Sequence, residues 1–349
     1  MSVRVRFAPS PTGSLHLGNA LTAVANRRFA DAHGGIMVLR IDDTDPARNA
    51  ESGEGTILTD LAWLGVGFDE GPVRQSERGD VYAEVVEHAV AASVAERDDD
   101  GSVRLGRDGT TLLRSDGTAT YQLASVVDDL DLGITHVIRG SDHRPNLPVQ
   151  QGIARALGGE LPEVIHHGLV LGPDGKKLSK RHGHSSIAEL REEGFPAVAV
   201  RAYLDELDLP DHDVHLDLAR LRRFAVDAIA AMSDEELAAA ADAPLEVVPA
   251  LRGARSLVEA REYARLVAAP PEVARDDRAR PTLVRFVELR TPAPERLSLE
   301  ESKALIRELK AVGGDLRSLR LALTGAERGP ELAAVLAALP REEALRRAT

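Results

Sequence analysis

Apolar and polar residues alternate with two different periods along the first 95 residues, and these periods predict strands and helices in turn. Short apolar runs at residues 3–7 and 36–41 (IMVLRI) predict two strands, the second apolar enough to be covered on both faces. Helical spacing of apolar residues predicts helices over 19–32, 51–64 and 76–95. Because this order of elements makes neighbouring strands parallel, we expect an α/β fold with a doubly wound parallel sheet.

The same alternation returns after an interruption. Residues 96–117 are rich in Asp and Gly (RDDDGSVRLGRDG) and predict turns in a short connecting insert. The later pattern predicts helices over 121–130 and 149–157, and strands over 135–139 and 164–171. A Gly- and Lys-rich loop, GPDGKKLSKRHGH, follows the last of these strands.

The chain changes character at about Ser186. The remaining segments are rich in Ala, Leu, Arg and Glu with helical periodicity, and prolines and glycines separate them. They predict an all-helical C-terminal region that follows the α/β part. The changes in pattern divide the chain into five parts, at residues 1–95, 96–118, 119–185, 186–255 and 256–349.

Composition excludes several classes of function. The chain has 349 residues and no cysteine, so disulfides, thiol catalysis and cysteine-ligated zinc are excluded. A net charge of −13 and only 3% aromatic residues argue against general coating of nucleic acid, although a local basic groove is compatible with both. The sequence shows neither a secretory signal nor an apolar run long enough to span a bilayer, and we expect a cytoplasmic protein.

The first predicted strand leads into the loop RFAPSPTGSLHLGNA, residues 6–20, which opens a helix. Its prolines stiffen the backbone, and Gly13 and Gly18 permit close approach of a ligand. His16 stands just before the helix N-terminus, where free N–H groups and the helix dipole favour a phosphate. Neither GxxxxGK[ST] nor GxGxxG is present, which disfavours Walker-type NTPases and dinucleotide dehydrogenases. The loop alone fits equally a nucleotide site and a rigid turn with a helix-capping histidine.

A second motif places four cations in the six residues KKLSKR, residues 176–181. By itself such a run is typical of a solvated surface loop. Paired with the histidine loop, it suits a triphosphate attacked at its α-phosphorus, because mobile ammonium groups can neutralise the charge that develops there.

Together the two motifs resemble the "HIGH" and "KMSKS" signatures of class I aminoacyl-tRNA synthetases, as HLGN at 16–19 and KLSKR at 177–181. Four blocks in order resemble bacterial glutamyl-tRNA synthetases: RFAPSPTGSLHLGNA, GGIMVLRIDDTDPAR, RSDGTATYQLASVVDDLDLGITHVIRGSDH and LVLGPDGKKLSKRHG. The likeness continues into LRSLRLALTGAERGPELAAVLAAL near the C-terminus. It implies a Rossmann-like catalytic core in two halves (1–95 and 119–185), an abbreviated insert (96–118), a helical stem-contact region (186–255) and a reduced anticodon-binding-like domain (256–349).

The resemblance also implies roles for individual residues. It implies catalytic roles for His16, Lys177 and Lys180. It implies amino-acid binding by Arg6, Ala8, Ser10, Asp42, Tyr121 and Arg139. It implies ATP binding by Pro11, Thr12, Gly13, His16, Gly18, Asn19, Leu178, Ser179 and Lys180. The reaction so implied forms glutamyl-adenylate from ATP and transfers glutamate to tRNA, with tRNA for glutamate as partner, Mg²⁺ arriving with ATP, no zinc and a monomeric chain.

Several residues depart from the family pattern. Asp42 stands where bacterial relatives carry glutamate, and RGSDHRPNLP differs from the family at Ser141, Arg144, Pro145 and Leu147. Three alternatives therefore stay open: a paralogue that activates glutamate or a related amino acid for a non-standard acceptor, an enzyme that glutamylates a modified tRNA base, and a non-catalytic protein that binds tRNA or another partner. His166 and His167 alternate along a predicted strand and cannot chelate one metal together, and Asp128 and Asp129 are expected to order the sheet edge.

Overall fold

The computed structural model describes residues 2–106, 109–178, 183, 185–272 and 277–349. The strands in this part of the chain are β1 (Arg4–Phe7), β2 (Ile36–Ile41), β3 (Glu70–Arg74), β4 (Ala95–Arg97), β5 (Val103–Leu105), β6 (Thr111–Leu113), β7 (His136–Gly140), β8 (Glu163–His167), β9 (Val170–Leu171) and β10 (Val214–His215).

The helices before residue 210 are α1 (Leu17–Ala32), α2 (Gly53–Trp63), α3 (Gly79–Ala91), α4 (Tyr121–Asp131), α5 (Leu147–Ala156), α6 (Ile187–Glu192) and α7 (Ala197–Leu207). The later helices are α8 (Leu218–Ala231), α9 (Asp234–Ala241), α10 (Val248–Leu251), α11 (Leu257–Ala268), α12 (Arg280–Arg290), α13 (Leu299–Ala311), α14 (Leu316–Thr324), α15 (Leu332–Ala338) and α16 (Arg341–Ala348).

The central sheet of the described residues has the strand order β3-β2-β1-β7-β8, and each neighbouring pair is parallel. Crossover helices connect its strands, so the predicted doubly wound α/β sheet followed by a helical region is confirmed. The strand order changes direction between β1 and β7, where Val5 pairs with His136. In open sheets of this kind ligands bind at the carboxyl ends of the strands beside such a switch point.

Strand β2 spans the residues that the sequence predicted, and all of Met37–Ile41 is buried. Strand β3 was not predicted, because EGPVR carries a glycine and a proline that read as a turn. A proline is tolerated there since β3 is an edge strand of the sheet. The helix predicted over 76–95 is shorter than expected: a 3-10 turn occupies Gln75–Arg78 and α3 ends at Ala91.

Two predictions between residues 95 and 171 were wrong. The insert contains a three-stranded antiparallel sheet, β4-β5-β6, whose strands of three residues are too short to show a period of two. The strand predicted over 164–171 is two strands in different sheets, since the N–H of Gly168 donates to the carbonyl of Pro210 at 2.6 Å and turns the chain. A Cβ on Gly168 would lie 1.9 Å from the carbonyl oxygen of His212.

The chain forms two compact units, Met1–Leu190 with Arg201–Asp217, and Arg191–Val200 with Leu218–Thr349. The second unit packs its helices around a core that includes Leu251, Phe286 and Leu336. Serine caps begin α9 and α13, each with a reciprocal glutamate three residues on. The short strand β10 pairs with β9 inside the first unit, which corrects the expectation of helices alone after residue 186. The five functional domains expected from the sequence remain a prediction.

Candidate active site

A cavity of about 430 Å³ lies at the carboxyl ends of β1, β2, β7 and β8, within the first unit. Its volume is in the range of small-molecule sites. Eleven of the residues expected to bind or react line it: Arg6, Ala8, Ser10, Thr12, His16, Gly18, Asn19, Asp42, Tyr121, Arg139 and Lys177. The topology therefore brings the histidine loop and the first lysine of KLSKR to one cavity, although His16 and Lys177 are 161 positions apart in sequence.

The remaining expected residues lie elsewhere or are not described. Pro11, Gly13 and Leu178 do not line the cavity, and Leu178 is buried. Gly13 has φ of 117°, a left-handed conformation that favours glycine, so its contribution is to the course of the loop. Ser179 and Lys180 lie outside the described residues.

His16 caps α1 and lines the cavity. Its Nδ1 accepts from the backbone N–H of Asn19 at 3.1 Å, which leaves the proton on Nε2. Burial, with Lys177 adding to the effect, lowers the pKa of His16 to about 4, so the ring is neutral at pH 7. A Cβ on Gly18 would lie 3.1 Å from Cε1 and Nδ1 of this ring. Gly18 therefore leaves space for the imidazole itself.

Two guanidinium groups also line the cavity. Arg6 and Arg139 are almost fully buried, with 5% and 6% of their surface exposed. Arg139 donates to Gln150 Oε1 at 3.0 Å and to His166 Nε2 at 3.3 Å, but its Nη2 is buried without a hydrogen-bond partner. Burial, and then the charge of Arg6, lower the pKa of Arg139. Two buried cations close enough to repel each other create a site that an anion would stabilise.

Asp42 supplies the negative charge of this part of the cavity. Its two oxygens accept from Nε and Nη2 of Arg40 at 2.7 and 3.3 Å. Burial raises the pKa of Asp42, and Arg40 partly opposes that rise. Asp128 and Asp129 lie on α4, within the helix that the sequence predicted, and are buried beside Arg40 of β2 rather than at an edge of the sheet.

Lys177 reaches the side of the cavity that holds His16. Its ammonium group forms an ion pair with Asp142, which lowers the pKa of that carboxyl against the opposing effect of burial. Asp142 lies in a 3-10 helix, Ser141–Asn146, that directly follows β7. The same helix carries His143, whose Nδ1 lies 3.2 Å from the hydroxyl of Tyr121.

Sequence reasoning missed other cavity residues, including Thr22, Arg48, Asp142, His143 and His167. Thr22 follows Gly18 by one helical turn, a spacing that could have indicated it. His167 Nδ1 lies 2.8 Å from the carbonyl of Gly168 and its Nε2 lies 2.9 Å from Thr22 Oγ1. The bend at Gly168 that places His167 in the cavity depends on a hydrogen bond to Pro210. The residues around Gly168 show no pattern that predicts this distant contact.

The match to a family model identifies the family of this chain. The model described as "tRNA synthetases class I (E and Q), catalytic domain" matches residues 2–107 and 100–222. The chain belongs to this synthetase family. A class I synthetase relative from Rubrobacter xylanophilus, named glutamate–tRNA ligase 1, is 36% identical over 99% of this chain and 97% of its own length. Another of that name, from Gluconacetobacter diazotrophicus, is 32% identical over 99% of each chain.

A solved synthetase structure supports the fold. The glutamate tRNA ligase from Elizabethkingia meningosepticum, in complex with its amino acid, superposes with a TM-score of 0.77 at 23% identity, covering all of this chain and 98% of the other. The family model and the two full-length relatives confirm the family resemblance drawn from the sequence. The alignment with the Gluconacetobacter relative spans 468 positions against 349 residues, so that relative carries segments which this synthetase lacks.

Two features are absent from the described residues. None of the helices there has the length and apolarity to cross a membrane. No group of three or more His, Cys, Asp or Glu side chains in the same part of the chain is placed to hold a metal ion.

Proposed function

We propose that this synthetase joins glutamate to the 3′ end of tRNA through glutamyl-adenylate. The observation that carries the proposal is the pair of buried guanidinium groups, Arg6 and Arg139, in one cavity with the Asp42 carboxylate. The names of the two full-length relatives, both glutamate–tRNA ligases, support it. ATP and tRNA are then the co-substrates.

The charges of the cavity match the two ends of glutamate. The substrate ammonium would pair with Asp42, and the side-chain carboxylate would lie between Arg6 and Arg139, supplying an acceptor for the buried Nη2 of Arg139. A carboxylate accepts hydrogen bonds only, whereas the amide of glutamine would turn one N–H₂ group toward a guanidinium. The site therefore favours glutamate over glutamine. Tyr121, Ala8 and Ser10 would complete the amino-acid site.

ATP would occupy the part of the cavity around His16 and Lys177. The α-carboxylate of glutamate attacks the α-phosphorus, a P–O bond forms, and the bond to pyrophosphate breaks with its electron pair leaving on pyrophosphate. Neutral His16 can donate from Nε2 to a phosphate oxygen, and Lys177 can exchange Asp142 for phosphate charge. This chemistry needs alignment and electrostatic stabilisation but no general base. Thr12, Asn19 and Lys180 would add donors for ATP.

Mg²⁺ would enter with the phosphates of ATP. The cavity offers Asp142 as an oxygen ligand near Lys177, which fits Mg²⁺ because this ion keeps water and phosphate ligands rather than an all-protein cage. It would neutralise charge on the phosphates. We further propose that the chain uses no zinc, acts as a monomer on tRNA for glutamate, and works in the cytoplasm.

ATP–pyrophosphate exchange tests the proposal, with each of the twenty amino acids and with or without total tRNA. We expect exchange with glutamate in the presence of tRNA, and stable charging of tRNA with glutamate but not with glutamine. Exchange without tRNA and without charging would support the paralogue with another acceptor instead. Absence of exchange under every condition would overturn the enzymatic proposal.

A further inference from the structure

Beneath the floor of the cavity lies a buried ion network whose central residue does not touch the cavity. Arg40 is 0% exposed and stands in β2, a strand that is otherwise apolar. Its Nε and Nη2 bind both oxygens of Asp42, the residue that follows the strand and lines the cavity. The geometry of Asp42 is therefore fixed from below by a bidentate contact, which only a guanidinium can make.

The other side of Arg40 connects to Arg6. Oδ1 of Asp129 accepts from Nη1 of Arg40 at 2.7 Å and from Nε of Arg6 at 3.2 Å. Asp129 is 5% exposed and, like Arg40, does not line the cavity. The continuous path Arg6–Asp129–Arg40–Asp42 thus joins the two residues that would hold opposite ends of the amino acid.

A third carboxylate keeps Arg40 in place. Asp128 lies 3.6 Å from its Nε and is itself held by Gln75 at 2.8 Å, Arg78 at 2.8 Å and the Tyr82 hydroxyl at 3.0 Å. Arg40 therefore has carboxylates on three sides and little freedom to move.

Stability alone gives little reason for such a network. Replacing a buried ion pair by well-packed apolar residues is often neutral or stabilising, so a buried network is weak as a source of folding energy. An arginine in this parallel strand is more readily explained by what it positions. We propose that Arg40, with Asp129, is a positioning residue that fixes the distance and charge balance between Arg6 and Asp42, and so sets the affinity for the amino acid.

This inference rests on the proposed function, and the test keeps the two separable. Arg40→Lys retains the charge but cannot make the bidentate contact. We expect the glutamate KM in tRNA charging to rise at least about tenfold, as for loss of a buried charge contact, with the ATP KM changed by less than about twofold. Asp129→Asn, which preserves shape and removes charge, should act in the same direction.

Arg290→Lys is the matched control, because Arg290 is also 0% exposed but lies in the second unit, where it donates to the carbonyls of Pro294 and Glu295. It should lower the melting temperature and leave the glutamate KM unchanged. In an Asp42→Asn background, Arg40→Lys should raise the glutamate KM by a smaller factor than in wild type, because the charge contact with Asp42 is already lost and only the contact through Asp129 to Arg6 remains.

Equal effects of Arg40→Lys in both backgrounds would overturn the positioning role. So would a lowered melting temperature with an unchanged glutamate KM, as expected of a purely structural arginine. A wild-type chain that charges no glutamate would overturn the proposed function and this inference together. Normal wild-type charging with an unresponsive Arg40→Lys variant would overturn the inference alone.

Discussion

Replacing Arg139 by methionine should separate folding stability from substrate binding. The buried Nη2 without a partner costs the folded protein about 1–3 kcal/mol, and repulsion from Arg6 adds to that cost. Both penalties disappear in Arg139→Met. The variant also loses the hydrogen bonds to Gln150 and His166 and the favourable interaction with Tyr121, worth about 1 kcal/mol each. We therefore expect the free energy of unfolding of the substrate-free protein to change by no more than about 1 kcal/mol.

Binding should respond very differently. Removing one member of a desolvated charge pair costs about 2–5 kcal/mol, which corresponds to a loss of roughly thirtyfold to several thousandfold in kcat/KM for glutamate. Urea unfolding without glutamate measures the free energy of unfolding. Its increase at saturating glutamate measures glutamate binding, because a ligand that binds only the folded state raises its stability. Initial rates of tRNA charging give kcat/KM. Wild type should be stabilised by glutamate, and Arg139→Met should not.

Arg347→Met is the control for removing a buried arginine. Arg347 is also 6% exposed, but it donates to Glu343 and to the carbonyl of Leu323 in the second unit. Its loss should destabilise the protein by about 1–3 kcal/mol and leave the stabilisation by glutamate intact. If Arg139→Met kept that stabilisation, or a kcat/KM within about threefold of wild type, the carboxylate site assigned to Arg6 and Arg139 would be refuted.

Three further predictions concern residues that we propose to bind or activate ATP. Gly18→Ala should displace the His16 ring, 3.1 Å from the new Cβ, and lower kcat/KM for ATP by about tenfold or more, with melting curves excluding global unfolding as the cause. Burial lowers the pKa of His16 from 6.5 to about 4, so the unfolded chain takes up this proton before the folded chain does as pH falls. The contribution of His16 to the free energy of unfolding is therefore fully present above pH 6.5 and decreases progressively between pH 6.5 and about pH 4. His16→Asn should make the unfolding free energy less steep with pH in that window, and an unchanged slope would contradict the burial argument. Lys180→Ala should slow adenylate formation at least about a hundredfold in pyrophosphate exchange, and near-normal exchange would refute its catalytic role.

Much of the fold follows from local pattern. The apolar run of β2, the capping position of His16 and the helical periodicity after residue 217 are properties of neighbouring residues, and each is visible in the sequence. Strands of two or three residues were not predicted, because so few positions cannot show a period of two. Strand β3 was not predicted either, because an edge strand tolerates glycine and proline, which are typical of turns.

The candidate site divides in the same way. Motif resemblance found eleven residues of the cavity, since those residues lie in short contiguous blocks. His167 and Thr22 were missed, because their proximity depends on the bend at Gly168. Asp128 and Asp129 were predicted on a helix, but their partner was not predicted, since nothing in the sequence shows that α4 packs them against Arg40.

The sequence alone thus determined the order of the elements, the chemical types available at the strand ends, and the family. Only the tertiary structure decided which charges meet. Arg6, Arg40 and Asp129 come from three elements. Parallel pairing of β1 and β2, with α4 packed nearby, places the guanidinium nitrogens of Arg6 and Arg40 at 3.2 and 2.7 Å from Oδ1 of Asp129. Buried electrostatic interactions are strong only at such short range and in the absence of water, so the properties of the site depend on packing that no local stretch of sequence encodes.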